Sequence, residues 1–117
     1  MEQLVEKWFE ELRRIWIKKD LENVPNLLAE NFLYYESPFE LPLTTTDAVK
    51  KEWEPVKGQI ISQLDIHPIF LAGNRGVATY TLILGEAGKQ QISSGVYFVE
   101  INNKGKATLF RQWWMSK

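Results

Sequence analysis

Two places in the sequence hold groups that could move a proton. Glu36 and Ser37 stand directly before Pro38, and Asp65 stands two residues before His67. General acid–base chemistry needs a side chain that titrates near neutral pH within hydrogen-bond reach of its substrate; carboxylates and imidazoles can be tuned to do so. The Ser37 hydroxyl has no useful basicity near neutrality, so it could hold a guest without deprotonating it. Strand alternation turns the adjacent Glu36 to the opposite side. Asp65 and His67 share a strand face and could form an acid–base or orienting pair. Pro68 directly after His67 marks a bend or a sheet edge, so a solvated surface pair is the competing reading. The chain has no cysteine, which removes thiolate chemistry and disulfides. One histidine without suitably spaced carboxylates gives no zinc site, and no cofactor is expected.

These groups depend on the elements that carry them. Leu4, Val5, Trp8, Phe9, Leu12, Ile15 and Trp16 recur at three- and four-residue steps, which predicts an amphipathic helix. A second, short helix is expected with Leu21, Val24, Leu27 and Leu28 on one face, capped by Asp20 or, because Pro25 lies deep in it, by Asn23. Phe32 to Phe39 reads as a short extended segment closed by Pro38. Thr46 or Asp47 caps a third helix carrying Val49 and Trp53, which Pro55 ends. Four strand-like runs follow near Gln59–Leu71, Gly76–Gly85, Gln90–Asn102 and Ala107–Met115. The glycine- and asparagine-rich turns between them predict consecutive antiparallel hairpins.

At 117 residues the chain matches one domain, 1–117, with no linker or repeat. A formal net charge of -1 gives no field to draw nucleic acid or an anionic membrane, and neither partner is expected. No span or leader is evident, so the cytoplasm is the default compartment. Aromatic residues make up 13% of the chain, which suggests a core of large rings or a ring-lined cavity. Both faces of the later strands carry large apolar groups, whereas three short helices cover only one. A second subunit over the convex face, making a homodimer, is therefore expected, against scattered surface hydrophobics as the plainer reading.

Lys19-Asp20-Leu21-Glu22, Leu27-Leu28-Ala29-Glu30, Tyr35-Glu36-Ser37-Pro38, Asp47-Ala48-Val49 with Trp53, and Phe110-Arg111-Gln112-Trp113-Trp114 follow one another in a telling order. That order, behind an amphipathic helix and with three glycine-turned hairpins, resembles the nuclear transport factor 2-like superfamily. Its polyketide-cyclase (SnoaL-type) and ketosteroid-isomerase branches are the most similar. The resemblance implies an α+β fold: a cone-shaped barrel with three N-terminal helices packed in a curved antiparallel sheet, a deep apolar cavity, and frequent homodimers. It does not imply a reaction, because such a fold hosts many functions. A ketosteroid isomerase uses an Asp base, a Tyr donor and a neutral Asp donor in an apolar site. The base position corresponds to Ser37 and the Tyr position to Leu12 or Arg13, while the second donor falls at Tyr97. The isomerase mechanism therefore does not carry over.

Strand parity and the resemblance together give Trp16, Tyr35, Ser37, Trp53, Tyr80, Tyr97, Gln112 and Trp114 as the expected cavity lining. An amide among rings, as at Gln112, is costly unless something bonds to it. Three functions follow. One is a binder of a small apolar molecule. The second is an isomerase-, cyclase- or dehydratase-type enzyme using Glu36 or Asp65–His67 with Tyr97 as donor. The third is an interaction module acting through the convex face.

Overall fold

A computed structural model describes residues 1–117. The apolar stripe of the N-terminal segment forms helix α1, Glu2–Lys18, which buries Val5, Trp8, Phe9, Leu12 and Ile15. Lys19 closes it in the left-handed conformation, its N–H turned back to the carbonyls of Ile15 and Trp16. The second helix was expected to be α-helical; residues Leu21–Leu27 instead form a 3₁₀ segment. Pro25 has no N–H to give and its ring obstructs the carbonyl four residues back, so the tighter winding wins. Leu21, Val24 and Leu27, three apart, then fall on one buried edge.

Strand β1 spans Leu28–Tyr34, starting earlier and stopping earlier than the expected Phe32–Phe39 segment. Helix α2, Thr46–Trp53, is capped by Thr45, whose side chain accepts the Ala48 N–H at 3.2 Å. The cap therefore lies one residue before the expected Thr46 and two before Asp47, because the acceptor must stand outside the first turn to reach its third amide. Pro55 does not stop the chain from winding: Glu54–Gly58 continues as a 3₁₀ turn, where Pro55 sits at its start and needs no donor.

The hairpin strands are β2 (Ile61–Ala72), β3 (Arg75–Leu84), β4 (Gln91–Ile101) and β5 (Ala107–Ser116). They pair antiparallel in succession, turning through left-handed glycines such as Gly73 and Gly105. The full order is β1-β5-β4-β3-β2. The sheet is mixed rather than wholly antiparallel, since β1 runs parallel to β5. A tight turn fixes opposite directions only for the strands it joins; β1 is not joined to β5 by one, and parallel neighbours need such a long connection. β2 lies at the open edge, with Pro68 in its middle and a register shift between Pro68 and Phe70.

Directly opposed residues share a face, so register sorts the side chains. Pro68, Ala78, Tyr97 and Gln112 form one inward row, and Ile66, Tyr80, Gly95 and Trp114 the next. Phe70, Val77, Phe98 and Arg111 form an outward row, and His67, Thr79, Val96 and Trp113 another. The inward rows and the two helices enclose a cluster of 23 buried residues. Trp8 is anchored within it, its indole N–H donating to the Leu27 carbonyl at 2.8 Å.

Gly95 is required for close approach: a Cβ there would lie 2.8 Å from the Trp114 Cα across the ladder. Gly95→Ala is expected to destabilise the fold by about 1–3 kcal/mol, as overpacking does. Urea denaturation measures this, and an unchanged midpoint would show that β4 and β5 can separate freely.

Candidate functional site

Between α1, α2 and the inward face of the sheet lies a cavity of about 170 Å³. Leu12 and Trp16 reach it from α1 because they sit at one end of the apolar stripe, and Trp53 reaches it from the last turn of α2. Trp16 and Trp53 meet at 5.5 Å with planes inclined by 61°, making a corner. The sheet contributes Tyr34, Tyr97, Phe110 and Gln112, with the Tyr34 and Phe110 rings 5.1 Å apart and those of Tyr97 and Phe110 5.2 Å apart. Pro55, Val56 and Gln59 close the side beyond α2. The Trp16 indole donates to Gln59 Oε1 at 3.0 Å, and the Lys19 ammonium bonds the carbonyls of Lys57 and Gln59, so the end of α1 fixes this wall.

Glu36 and Glu52 complete the lining. Glu36 is half-buried and held by its backbone. The Tyr35 N–H donates to the Phe110 carbonyl at 2.8 Å, the Gln112 side chain donates to the Tyr35 carbonyl at 3.0 Å, and the Trp114 indole donates to the Glu36 carbonyl at 3.0 Å. On the other side, Tyr34 and Leu43 exchange backbone hydrogen bonds of 3.0 and 2.7 Å, closing the loop that carries Glu36. Three inward residues of β5, spaced by two, thus set where this carboxyl stands.

Its surroundings disfavour its charge. Burial, then the negative charges of Glu52 and Glu40, push the Glu36 carboxyl from an ordinary 4.5 up to about 7, against weaker opposition from the nearby polar groups of Tyr34 and Gln112. Burial likewise drives the phenols of Tyr34 and Tyr97 well above their usual range, so both stay protonated. Tyr80 is pushed to about 12, again chiefly by burial. The Tyr34 hydroxyl accepts the Trp53 indole N–H at 3.0 Å. Tyr97 is almost fully buried, yet its hydroxyl has no protein partner and no enclosed side-chain polar atom is left unpaired; the hydroxyl therefore opens onto the cavity it lines. A carboxyl titrating near neutrality and a neutral phenol with a free donor face one apolar space. Together they can exchange a proton with a guest and hydrogen-bond its oxygen or nitrogen.

Of the expected lining residues, the fold brings Trp16, Trp53, Tyr97 and Gln112 to this cavity. Tyr80 is buried behind them, stacked on Tyr97 with centroids 4.3 Å apart. Trp114 is half-exposed and does not line this cavity; it borders the groove that also holds Ser37. The extended segment sits one residue out of the expected phase: Tyr34 and Glu36 turn inward, while Tyr35 turns outward beneath the Arg111 guanidinium, 4.1 Å from its ring centre. Ser37 lines a groove on the outer face instead. Asp65 and His67 lie on that outer face too, Asp65 accepting from the Gln63 amide, so they are not brought to Tyr97. Tyr34, Glu52 and Gln59 were missed. Only the helical neighbourhood of Trp53 hinted at Glu52, and nothing local distinguishes Tyr34 from Tyr35.

No family model matches the sequence, and no curated protein matches it. Solved structures do match its fold. An LEH-like epoxide hydrolase of M. tuberculosis superposes with a TM-score of 0.70 at 16% identity, over 97% of this chain and 81% of that one. The epoxide hydrolase/cyclase-like enzyme SalBIII, which has a role in pyran ring formation in the polyether salinomycin, superposes with a TM-score of 0.70 at 12% identity, over 97% and 88%. An ntf2-like protein of unknown function from Mesorhizobium loti gives 0.73 at 15%, over 97% and 93%. At these identities the likeness is one of fold: the chain shares the α+β arrangement of these proteins, the ntf2-like one among them.

The raised carboxyl has a measurable consequence for stability. The folded chain holds the Glu36 proton more tightly than the unfolded chain does, so ionising it carries no cost below about 4.5, a growing one up to about 7, and a constant one above. Allowing for solvent screening of a half-buried group, Glu36→Gln should gain roughly 1–2 kcal/mol at about pH 8 and little at about pH 4. Denaturant titrations of both proteins across this range test it; a difference that does not change with pH refutes the assignment.

Proposed function

We propose that this chain binds a small, largely apolar molecule carrying one polar group in the aromatic cavity. The observation that carries the proposal is that the free Tyr97 hydroxyl and the Glu36 carboxyl line one ring-walled space. Rings with a few convergent polar groups are the usual make-up of a ligand site. The volume favours a compact guest, since a cavity of about 150 Å³ accommodates benzene. Ring-sized probes such as phenol and cyclohexanol should raise the melting temperature by about 5 °C at ten times their dissociation constants. Trp53→Ala should abolish that rise, and Tyr97→Phe should weaken the hydroxyl-bearing probes about tenfold at fixed temperature. Absence of any rise in the parent protein would sink the proposal.

A catalytic reading is favoured by one further observation: Glu36, raised to about 7, can serve as either acid or base near neutrality. The reaction would be a proton transfer of the isomerase, cyclase or dehydratase kind, with Tyr97 stabilising developing negative charge. The solved structures of similar fold include enzymes, which supports the class and no particular substrate.

The outer face supports a homodimer. Phe70, Trp113 and Met115 point outward and are exposed at 64%, 40% and 80%, and Phe39 beside them is exposed at 98%. Phe39, Trp113 and Met115, with Ser37, Val96 and Thr79, bound a groove of about 770 Å³. Contiguous apolar surface of this kind favours association. Sedimentation should give a dimer for the parent chain and a monomer for Trp113→Glu. A monomeric parent would point instead to a different protein as the partner of this face.

A further inference from the structure

We infer that the cavity takes a small organic cation, an ammonium or alkylammonium head held against its ring faces by the carboxylates at its mouth. This rests on the cavity being a binding site, as proposed above, and adds the charge of its guest. The ionisable side chains that line it are Glu36, Glu52, Tyr34 and Tyr97, and none is basic. That bias does not come from composition, since the chain carries 14 Lys and Arg against 15 Asp and Glu. Four carboxylates elsewhere pair with cations, Glu11 and Asp20 with Arg14, Glu54 with Lys57, and Glu100 with Arg75, while the others stay unpaired. Glu36, Glu40 and Glu52 form no salt bridge.

The charge that this mouth lacks is positive. Glu52, which lines the cavity, and Glu40 are exposed, whereas Glu36 is half-buried, and their negative charges are part of what keeps its proton on. The other titratable groups facing Glu36 are the phenols of Tyr34, Tyr80 and Tyr97, which supply no cation. A cationic guest relieves the repulsion, a neutral guest leaves it, and an anion worsens it. The walls agree with this choice. Aromatic faces are electron-rich and attract a cation within about 6 Å of the ring centre, most strongly for Trp. Trp16 and Trp53, in edge contact with each other, line the cavity together with Tyr34, Tyr97 and Phe110, five rings around one small space. The limited volume suits a methylated ammonium head and excludes a large polycyclic skeleton.

Three probes of similar size and different charge test this: tetramethylammonium, tert-butanol and pivalate, titrated at constant ionic strength while the indole N–H signals of Trp16 and Trp53 are followed by NMR. Tetramethylammonium should bind at least about tenfold tighter than tert-butanol, and pivalate weakest of the three. Its affinity should rise between about pH 6 and about pH 8 as Glu36 ionises, with tert-butanol unaffected. Glu36→Gln should remove the pH dependence, and Glu52→Gln, at an exposed position that folding does not need, should lower cation affinity without changing that of tert-butanol. Tert-butanol binding as tightly as tetramethylammonium overturns the cation assignment and leaves the binding site standing. Indole signals unmoved by all three probes overturn both.

Discussion

The parallel seam between β1 and β5 is the constraint from which the site follows. Leu33 lies opposite Leu109 and Tyr34 opposite Phe110, and this register turns Tyr34 and Glu36 inward. Moving the pairing by one residue would exchange the faces of every side chain on the segment. The seam is reinforced by side chains as well as by the ladder. Gln112 bonds the Tyr35 carbonyl and Trp114 bonds the Glu36 carbonyl, so the phase is secured beyond the last regular pairing. The Trp53 indole then closes on the Tyr34 hydroxyl from α2, linking helix and sheet across the cavity.

The cavity persists because its walls are stiff. Trp16, Trp53, Tyr34, Tyr97 and Phe110 meet at ring-to-ring distances of 5.1 to 5.5 Å, and planar rings at inclined angles cannot collapse into the space between them as aliphatic chains would. Elsewhere the same residue types pack fully: Trp8 touches both Phe9 and Phe110, and its N–H is spent on a backbone carbonyl. The contrast lies in the polar groups. Around Trp8 they are satisfied by the chain itself, whereas Tyr97 keeps an unspent hydroxyl facing open space.

Much of the scaffold was legible because it is written in local periodicity. The stripe from Val5 to Ile15, the glycine turns and the four long strands all follow from spacing alone. Trp53, Tyr97 and Gln112 were placed because their elements are regular enough for parity to hold. The segment from Phe32 to Pro38 was not legible in the same way. Phe32, Leu33, Tyr34 and Tyr35 are apolar or aromatic in succession, so alternation exists without an origin, and the origin is set by a strand over seventy residues away. That single ambiguity exchanged Glu36 with Ser37. The direction of β1 was hidden for the same reason, since no turn signal joins it to β5. Pro25 gave its own warning, which resolved as a 3₁₀ winding rather than a shifted cap.

Pro68 has an effect well away from the cavity. An unpaired strand at the margin of a sheet is an invitation for another chain to add itself rung by rung. Here the proline contributes no donor halfway along β2, and the step in spacing just after it breaks the rhythm an incoming backbone would have to copy. Ring-rich chains that expose such a margin are prone to fibre growth, and this one carries its own stop signal against it.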